Sequence, residues 1–209
     1  MKAMHFLQAD MTAGYGNEQP WAVGETRTIP KEDRAKIELC QYGYHSSPSW
    51  WDALNYAPGP MACLVEISRP KATDKGEGSA MAVSHTRTLI DARDATKTLR
   101  LWGIECARRA LDREREKGRE PDKRSWTALE VATRHANGEA TDKELAAAWD
   151  AARDAARDAA WDAARAAAWD AARAAARDAA RDAARDAEEK WQIARLNEVM
   201  DELFAQVPA

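Results

Sequence analysis

The chain has 209 residues and a formal charge of −4, with 31 basic and 35 acidic residues interspersed instead of blocked. That balance argues against a basic nucleic-acid footprint and equally against an acidic mimic of nucleic acid. No run of about 18 apolar residues occurs and the opening MKAMHFLQADM lacks a signal-peptide core, so no membrane association and a cytoplasmic location are expected.

Three widely spaced cysteines, Cys40, Cys63 and Cys106, without a CxxC or paired histidines nearby, read as buried reduced thiols. They do not read as a zinc set, and no cofactor is expected. The fold class is α+β: a small, mainly antiparallel sheet domain with a short helix (residues 1–92), two amphipathic helices packing on it (93–140), and one very long alanine-rich helix (141–207).

In the sheet region, strands are expected at Met4 to Gln8, Trp21 to Ile29 and Ile37 to Tyr42, and again at Met61 to Ile67 and from about Ser79 to Ile90. Between the third and fourth strands, Ser46 or Ser47 can cap a short helix with Pro48 in its first turn, carrying Trp51 and Leu54 and stopped by Pro58-Gly59-Pro60.

The polar candidates gather here. Tyr44, His45, Ser46, Trp50, Trp51 and Arg87 are the candidate ligand-binding residues: a glycine-flanked histidine at a strand end, two aromatic planes for stacking, and a guanidinium able to meet a phosphate or carboxylate through two bonds. Structural roles compete with each. His45 could tie the helix start to the sheet, the tryptophans could be core and lid, and Arg87 could lie on a solvated strand edge. Asp52 reads as a first-turn acid favoured by the helix dipole, and Glu66 as the outer face of its strand. No Ser/His/Asp or Cys/His arrangement can be argued, so no catalytic residue is assigned.

The string ELCQYGYHSSPSWWDALNYAPGPMACLVEIS carries Gly43-Tyr44-His45, Asp52-Ala53-Leu54-Asn55-Tyr56 and Val65-Glu66 in one order. It resembles a family of domains of unknown function frequent in bacteriophage and prophage proteins, over roughly residues 1–92. The resemblance implies a phage or prophage context, hence a host-cell cytoplasm, and no particular activity. Tyr44-His45-Ser46-Ser47 and Tyr56-Ala57 are also similar to elements around the nicotinamide pocket of the ADP-ribosyltransferase fold. Where that fold carries its catalytic acid, this chain has Ser84-His85-Thr86-Arg87, which argues against transfer chemistry.

Beyond the sheet region, Asp94 to Arg115 and Arg124 to Ala136 read as amphipathic helices, the second closing at Asn137-Gly138. Thr141 with Glu144 then forms a capping box. From Ala148 to Glu188 the chain repeats a four-residue phrase of Trp or Arg, Asp or Ala, and two alanines. Alanine and arginine favour helix, and Asp150, Asp154, Asp162, Asp170, Asp178 and Asp182 each precede an arginine by three residues in the favourable order. Four residues advance a helix by roughly 400°, so the Trp/Arg stripe drifts by about 40° per repeat and no face stays apolar. An unbroken helix from Asp142 to Phe204 would be roughly 95 Å long.

An apolar stripe returns at Trp191, Ile193, Leu196, Met200, Leu203 and Phe204, the candidate interaction residues, and predicts a homo-oligomer or a fold-back contact. Trp102 to Cys106, Ala128 to Glu139 and the repeat resemble alanine-rich helical segments of bacterial immunity-type proteins, which implies a protein partner.

Three functions follow in order. The first is a non-catalytic phage- or prophage-type interaction protein that binds and modulates a host or defence-system component. The second is a nucleotide-sequestering protein with a pocket near Tyr44, His45 and Trp51. An ADP-ribosyltransferase-like enzyme ranks third.

Overall fold

A computed structural model describes residues 1–14, 18–68, 70–74, 80–167 and 174–206. Its strands are β1 (Lys2–Leu7), β2 (Thr26–Thr28), β3 (Tyr44–Ser46), β4 (Met61–Ile67), β5 (Ala72–Asp74), β6 (Met81–Ser84) and β7 (Thr86–Asp94). All pairings are antiparallel, in a four-stranded sheet ordered β1-β4-β7-β2 and a three-stranded sheet ordered β3-β6-β5. The helices are α1 (Trp50–Leu54), α2 (Thr96–Glu116), α3 (Lys123–Ala136), α4 (Asp142–Ala167) and α5 (Ala174–Ala205). The α+β class is as expected. No helix among the described residues is long and apolar enough to cross a membrane.

The chain divides into two units, Met1–Thr98 with Leu196–Ala209, and Leu99–Arg195. In the first, one face of the larger sheet supplies a core of Ala3, Leu7, Cys63, Val65, Ile67 and Leu89, joined by Trp21 and by Ala82 of the smaller sheet. Strand alternation turns Thr26, Thr28, Thr86 and Thr88 away from that face, where their hydroxyls pair across β2 and β7. Phe6, one residue out of phase with Leu7, meets Trp50 of α1 edge to face at 5.8 Å between ring centroids.

Several local expectations change. The final strand breaks at His85, where the chain leaves the smaller sheet as β6 and enters the larger as β7. Ser84 Oγ donates to Thr86 O at 2.9 Å and His85 Nδ1 meets Ser68 Oγ at 3.2 Å, holding the corner. Residues Ile37 to Tyr42 form no strand: a 3₁₀ helix (Lys31–Lys36) runs into a tight turn that brings Glu38 opposite Tyr42, with Cys40 left-handed at φ 64°. Cys40 is therefore exposed, while Cys63 is buried and all three thiols are free. The strand expected over Trp21 to Ile29 shortens to Thr26–Thr28, and α1 is capped by Ser49, because Ser46 is already in β3.

In the second unit Thr141 and Glu144 make the capping box, and Gly138 closes α3 at φ 78°. Helix α4 runs antiparallel to α3, with His135 Nε2 at 2.8 Å from Asp142 and Arg124 at 3.0 Å from Asp158. Helix α5 runs antiparallel to α2: Glu188 receives Arg109 and Arg113, and Arg195 meets Glu105 at 2.9 Å. Trp102 Nε1 donates to Gln192 O, and the Arg109 guanidinium lies over Trp191 at 4.4 Å.

The described parts of the repeat therefore run in opposite directions. A straight helix would separate residues 158 and 188 by about 45 Å, yet their partners Arg124 and Arg113 flank the single turn at which Arg115 stacks on Trp126. Helix thus occupies both described stretches of the repeat, whereas residues 168–173 lie outside the described residues. Asp150–Arg153 and Asp154–Arg157 pair as expected, each at 3.2 Å. The pairs Asp162–Arg165, Asp170–Arg173, Asp178–Arg181 and Asp182–Arg185 involve side chains outside those described.

The returning stripe is used within one chain. Leu196 and Met200 have no exposed surface. Phe204 stacks on Trp50 at 5.2 Å and 19°, while Trp191, Ile193 and Leu203 are half-buried. The fold-back contact expected for this stripe is present. Phe204→Ala should lower the stability of the sheet unit by about 2 kcal/mol in urea unfolding, through lost ring burial and stacking. Glu188→Ala leaves two arginines facing each other and should cost about 1–3 kcal/mol, read by the same transition.

Candidate functional site

The inner face of the larger sheet carries three basic side chains among its apolar ones. Alternation puts His5 between Ala3 and Leu7, Arg27 between the outward Thr26 and Thr28, and Arg87 between Thr86 and Thr88. Arg27 is fully engaged: it pairs with Glu25 at 2.6 Å and Glu18 at 3.4 Å and donates to the carbonyls of Gln19 and Pro20. It covers one face of Trp21 at 4.1 Å.

Arg87 also lies over the Trp21 ring, at 4.4 Å, and is 5.3 Å from the Tyr44 ring. The Tyr44 ring meets Trp21 edge-on at 5.6 Å. The resemblance to Arg27 ends there. Arg87 is 3% exposed; among the described residues its one hydrogen bond runs from Nη1 to His45 O at 3.1 Å and no carboxylate makes an ion pair with it, Glu18 acting on it only through space. Burial pulls its pKa down to about 10, which still leaves it protonated at neutral pH. The solvated strand edge considered for Arg87 is thus overturned: the corner at His85 turns it inward.

Arg87 forms part of the wall of a cavity of about 670 Å³ in the sheet unit, together with His5, Glu18, Tyr44, His45 and Ser46. The remaining wall is largely apolar and aromatic, including Met4, Ile29, Tyr42, Ala53, Tyr56 and Met81. Among the described residues, His5 Nε2 and Ser46 Oγ are buried here without a hydrogen-bond partner. Ser46 is 2% exposed. Buried donors and acceptors are nearly always satisfied, so two orphans beside Arg87 make this cavity the candidate site.

Electrostatics fixes the protonation of the neighbours. Burial, then the Arg87 charge and His45, hold the His5 pKa well below the ordinary histidine value. Burial and Arg87 lower that of His45 as well, and its Nε2 accepts the Cys40 N–H at 2.9 Å, which fixes the tautomer. Burial raises the Tyr44 pKa, keeping its phenol neutral. Glu18 is committed to Trp21 Nε1 at 2.8 Å, to Ala13 N and to Arg27. Gly43, at φ 131°, lets the chain pass here, since a Cβ would sit 2.4 Å from Val83 Cγ2.

Of the six ligand-binding candidates, Tyr44, His45, Ser46 and Arg87 converge on the cavity. Trp50 does not: it is 2% exposed between Phe6 and Phe204, the core role that competed with ligand stacking. Trp51 is half-buried on α1 and is not part of the cavity wall. Asp52 does more than face the helix dipole: its carboxylate accepts from Ser49 Oγ and from Ala80 N, while its own N–H donates to Ser49 Oγ, so that it ties α1 to the start of β6. His5 was missed, although its place between Ala3 and Leu7 in a strand is visible in the sequence. Trp21 and Glu18 were missed because only tertiary packing brings their loop to β7.

Chemically, the cavity offers hydrogen-bond donors, one unpaired positive charge and flat apolar walls. Its carboxylate is already occupied, and no cluster of three or more metal-ligating side chains occurs among the described residues. No protein-family model matches the chain, and no curated protein or solved structure matches it either.

The histidines set a pH dependence for the ligand-free protein. Below about pH 6.5 the unfolded chain binds protons that His5 and His45 refuse in the folded state, so stability falls as pH drops through 6.5 and is level above it. Carboxylates with lowered pKa values, such as Asp122 held at about 2 by Arg124, lose their contribution only at more acidic pH. Urea midpoints measured from pH 8 to 5 should decline below about pH 6.5, and His5→Gln should flatten part of that decline.

Proposed function

We propose that the sheet unit is a small-ligand receptor that holds an acidic, ring-bearing molecule in the cavity between Arg87 and the tyrosines, with a nucleotide as the leading class. The single observation behind this reading is the buried, unpaired guanidinium of Arg87 beside the orphaned Ser46 Oγ and His5 Nε2. An acid group entering the cavity supplies the counter-charge and accepts from the free guanidinium N–H groups, while Tyr44, Tyr42 and Tyr56 offer faces or edges to a ring. Binding without turnover is the simplest use of such a site, because the unpartnered Ser46 hydroxyl and His5 imidazole are not hydrogen-bonded to one another, so no base activates the hydroxyl.

A second reading, the phage- or prophage-type interaction protein that engages a host or defence-system component, draws on the helical unit. There α2, α3 and α4 leave a groove of about 610 Å³ lined by Leu99, Ile104, Leu111, Leu129 and Trp149. Trp149 is 55% exposed beside it. An apolar recess with an exposed tryptophan suits a protein partner.

Thermal shift and calorimetry with nucleotides and aromatic acids separate the readings. The receptor reading expects at least one compound to raise the melting temperature and to be recovered intact, whereas a flat panel removes it, and consumed NAD would revive the transferase alternative. Arg87→Met should abolish ligand binding while leaving ligand-free stability within about 1 kcal/mol of the parent, because an apolar side chain replaces an unpaired buried charge. A loss of several kcal/mol would instead make Arg87 a structural residue.

A further inference from the structure

We infer that His5 and Ser46 form a two-sided clasp for a hydroxyl on the ligand, next to the acid group that Arg87 holds, so that the ligand class is a hydroxylated acid. This inference rests on the receptor reading above and deepens it. The shared chemistry is an acid with a neighbouring hydroxyl, carried either by a hydroxybenzoate or by a sugar phosphate.

Strand pairing carries the argument. Met4 and Ser47 exchange both backbone hydrogen bonds across an antiparallel bridge, N to O at 2.8 and 2.9 Å, which sets His5 opposite Ser46. Residues opposed in this way send their side chains to one face, with Cβ atoms about 5 Å apart. The ladder then ends. Phe6 pairs with Ala62 of β4 and His45 with Val83 of β6, so each strand stays with its own sheet and the two part just beyond the pair. Among the described residues no second bridge joins β1 to β3. His5 and Ser46 therefore stand where the strands open, and both line the cavity.

Opposed polar residues commonly bond each other across strands, as Thr26 and Thr88 do here at 2.8 Å. His5 and Ser46 do not, since His5 Nε2 and Ser46 Oγ both lack a partner. The gap between them suits one atom that bonds to both. Burial and the Arg87 charge keep His5 neutral, and a neutral imidazole gives or takes at Nε2 according to its tautomer, while a serine hydroxyl can do either. A ligand hydroxyl is the smallest group that accepts from one side and donates to the other. A methyl ether can only accept, and a bare ring carbon does neither.

One peptide sets the spacing between acid and hydroxyl. Arg87 Nη1 donates to His45 O at 3.1 Å, and that carbonyl belongs to the peptide leading into Ser46, whose Cα lies about 3.8 Å from that of His45. The guanidinium and the clasp are thus neighbours on β3. An acid oxygen held by Arg87 places the hydroxyl on the adjacent carbon or the next one.

Calorimetry on the full-length protein compares matched probes: benzoate with its 2- and 3-hydroxy derivatives and their methyl ethers, and 2′-deoxyadenosine 3′-phosphate with adenosine 3′-phosphate. In at least one set the hydroxylated acid should bind roughly tenfold more tightly than the acid without the hydroxyl, as two added neutral hydrogen bonds provide. Among the benzoates, the methyl ether should lose that gain. The benzoate and nucleotide sets tell a carboxylate from a phosphate. Ser46→Ala should close most of the gap between a hydroxylated acid and its unsubstituted counterpart. Its urea midpoint should be no lower than that of the unaltered protein, because the change deletes a buried hydroxyl that has no partner. If the unsubstituted acids bind as tightly as the hydroxylated ones, or Ser46→Ala leaves the preference intact, the inference is overturned and the receptor reading stands. The same holds if none of these acids binds while another compound of the wider panel does. If no probe binds and the wider panel is also flat, the receptor reading fails and this inference with it.

Discussion

A guanidinium buried without a carboxylate is the constraint around which the sheet unit is arranged. Removing an ion from water costs several kcal/mol even after relaxation, and a cation over an aromatic face returns on the order of 1–2 kcal/mol. Arg87 has one such face in Trp21, a longer contact to Tyr44 and one carbonyl acceptor in His45. Those contacts keep it charged and orient it, but they do not saturate it. Trp21 in turn is held by the Arg27 guanidinium over its ring and by Glu18 at its indole nitrogen, so the loop before β2 is built to present a ring to Arg87. On the receptor reading proposed above, free energy left uncompensated in the empty cavity would become affinity for an anion.

The surrounding architecture supports that arrangement at several points. The corner at His85 lets one run of chain belong to both sheets, with Ser84 buried on one side and Arg87 on the other. Asp52 joins α1 to the start of β6, and the turn around Cys40 fixes His45 through a backbone donor. The last two of these contacts lie on the cavity wall or one residue behind it. Rigid support of this kind lets a few donors act with defined geometry instead of searching for their acceptor.

Legibility in the sequence follows the range of the interactions. Local signals read true: β4 over Met61–Ile67, the capping box of Thr141 and Glu144, and the glycine closure of α3. The region over Ile37 to Tyr42 misled because its alternation imitates a strand, while the positive φ at Cys40 carries no compositional mark. Four of the six proposed ligand residues share one cavity because they flank a single strand end or its cross-sheet neighbour. Trp50 was misjudged because its partner Phe204 is distant in sequence. The drift of the repeat predicts no constant apolar face, yet over its first turns Ala148, Ala151, Ala152 and Ala155 form the less exposed side of α4, and the long-range pairs of Glu188 with α2 show how such a helix can be docked by charge near its end.

The sheet unit is discontinuous, with residues 99–195 inserted between its two segments. During synthesis, Trp50 leaves the ribosome long before Phe204 exists to cover it, and no rearrangement of the first segment can substitute for that contact. The unit therefore reaches its full burial only after the whole alanine-rich insertion has been made, a high-contact-order event even though most of the intervening chain folds locally as helix. A repeat that forms helix quickly shortens the search that brings those two rings together, and its length becomes a kinetic property of the domain it interrupts.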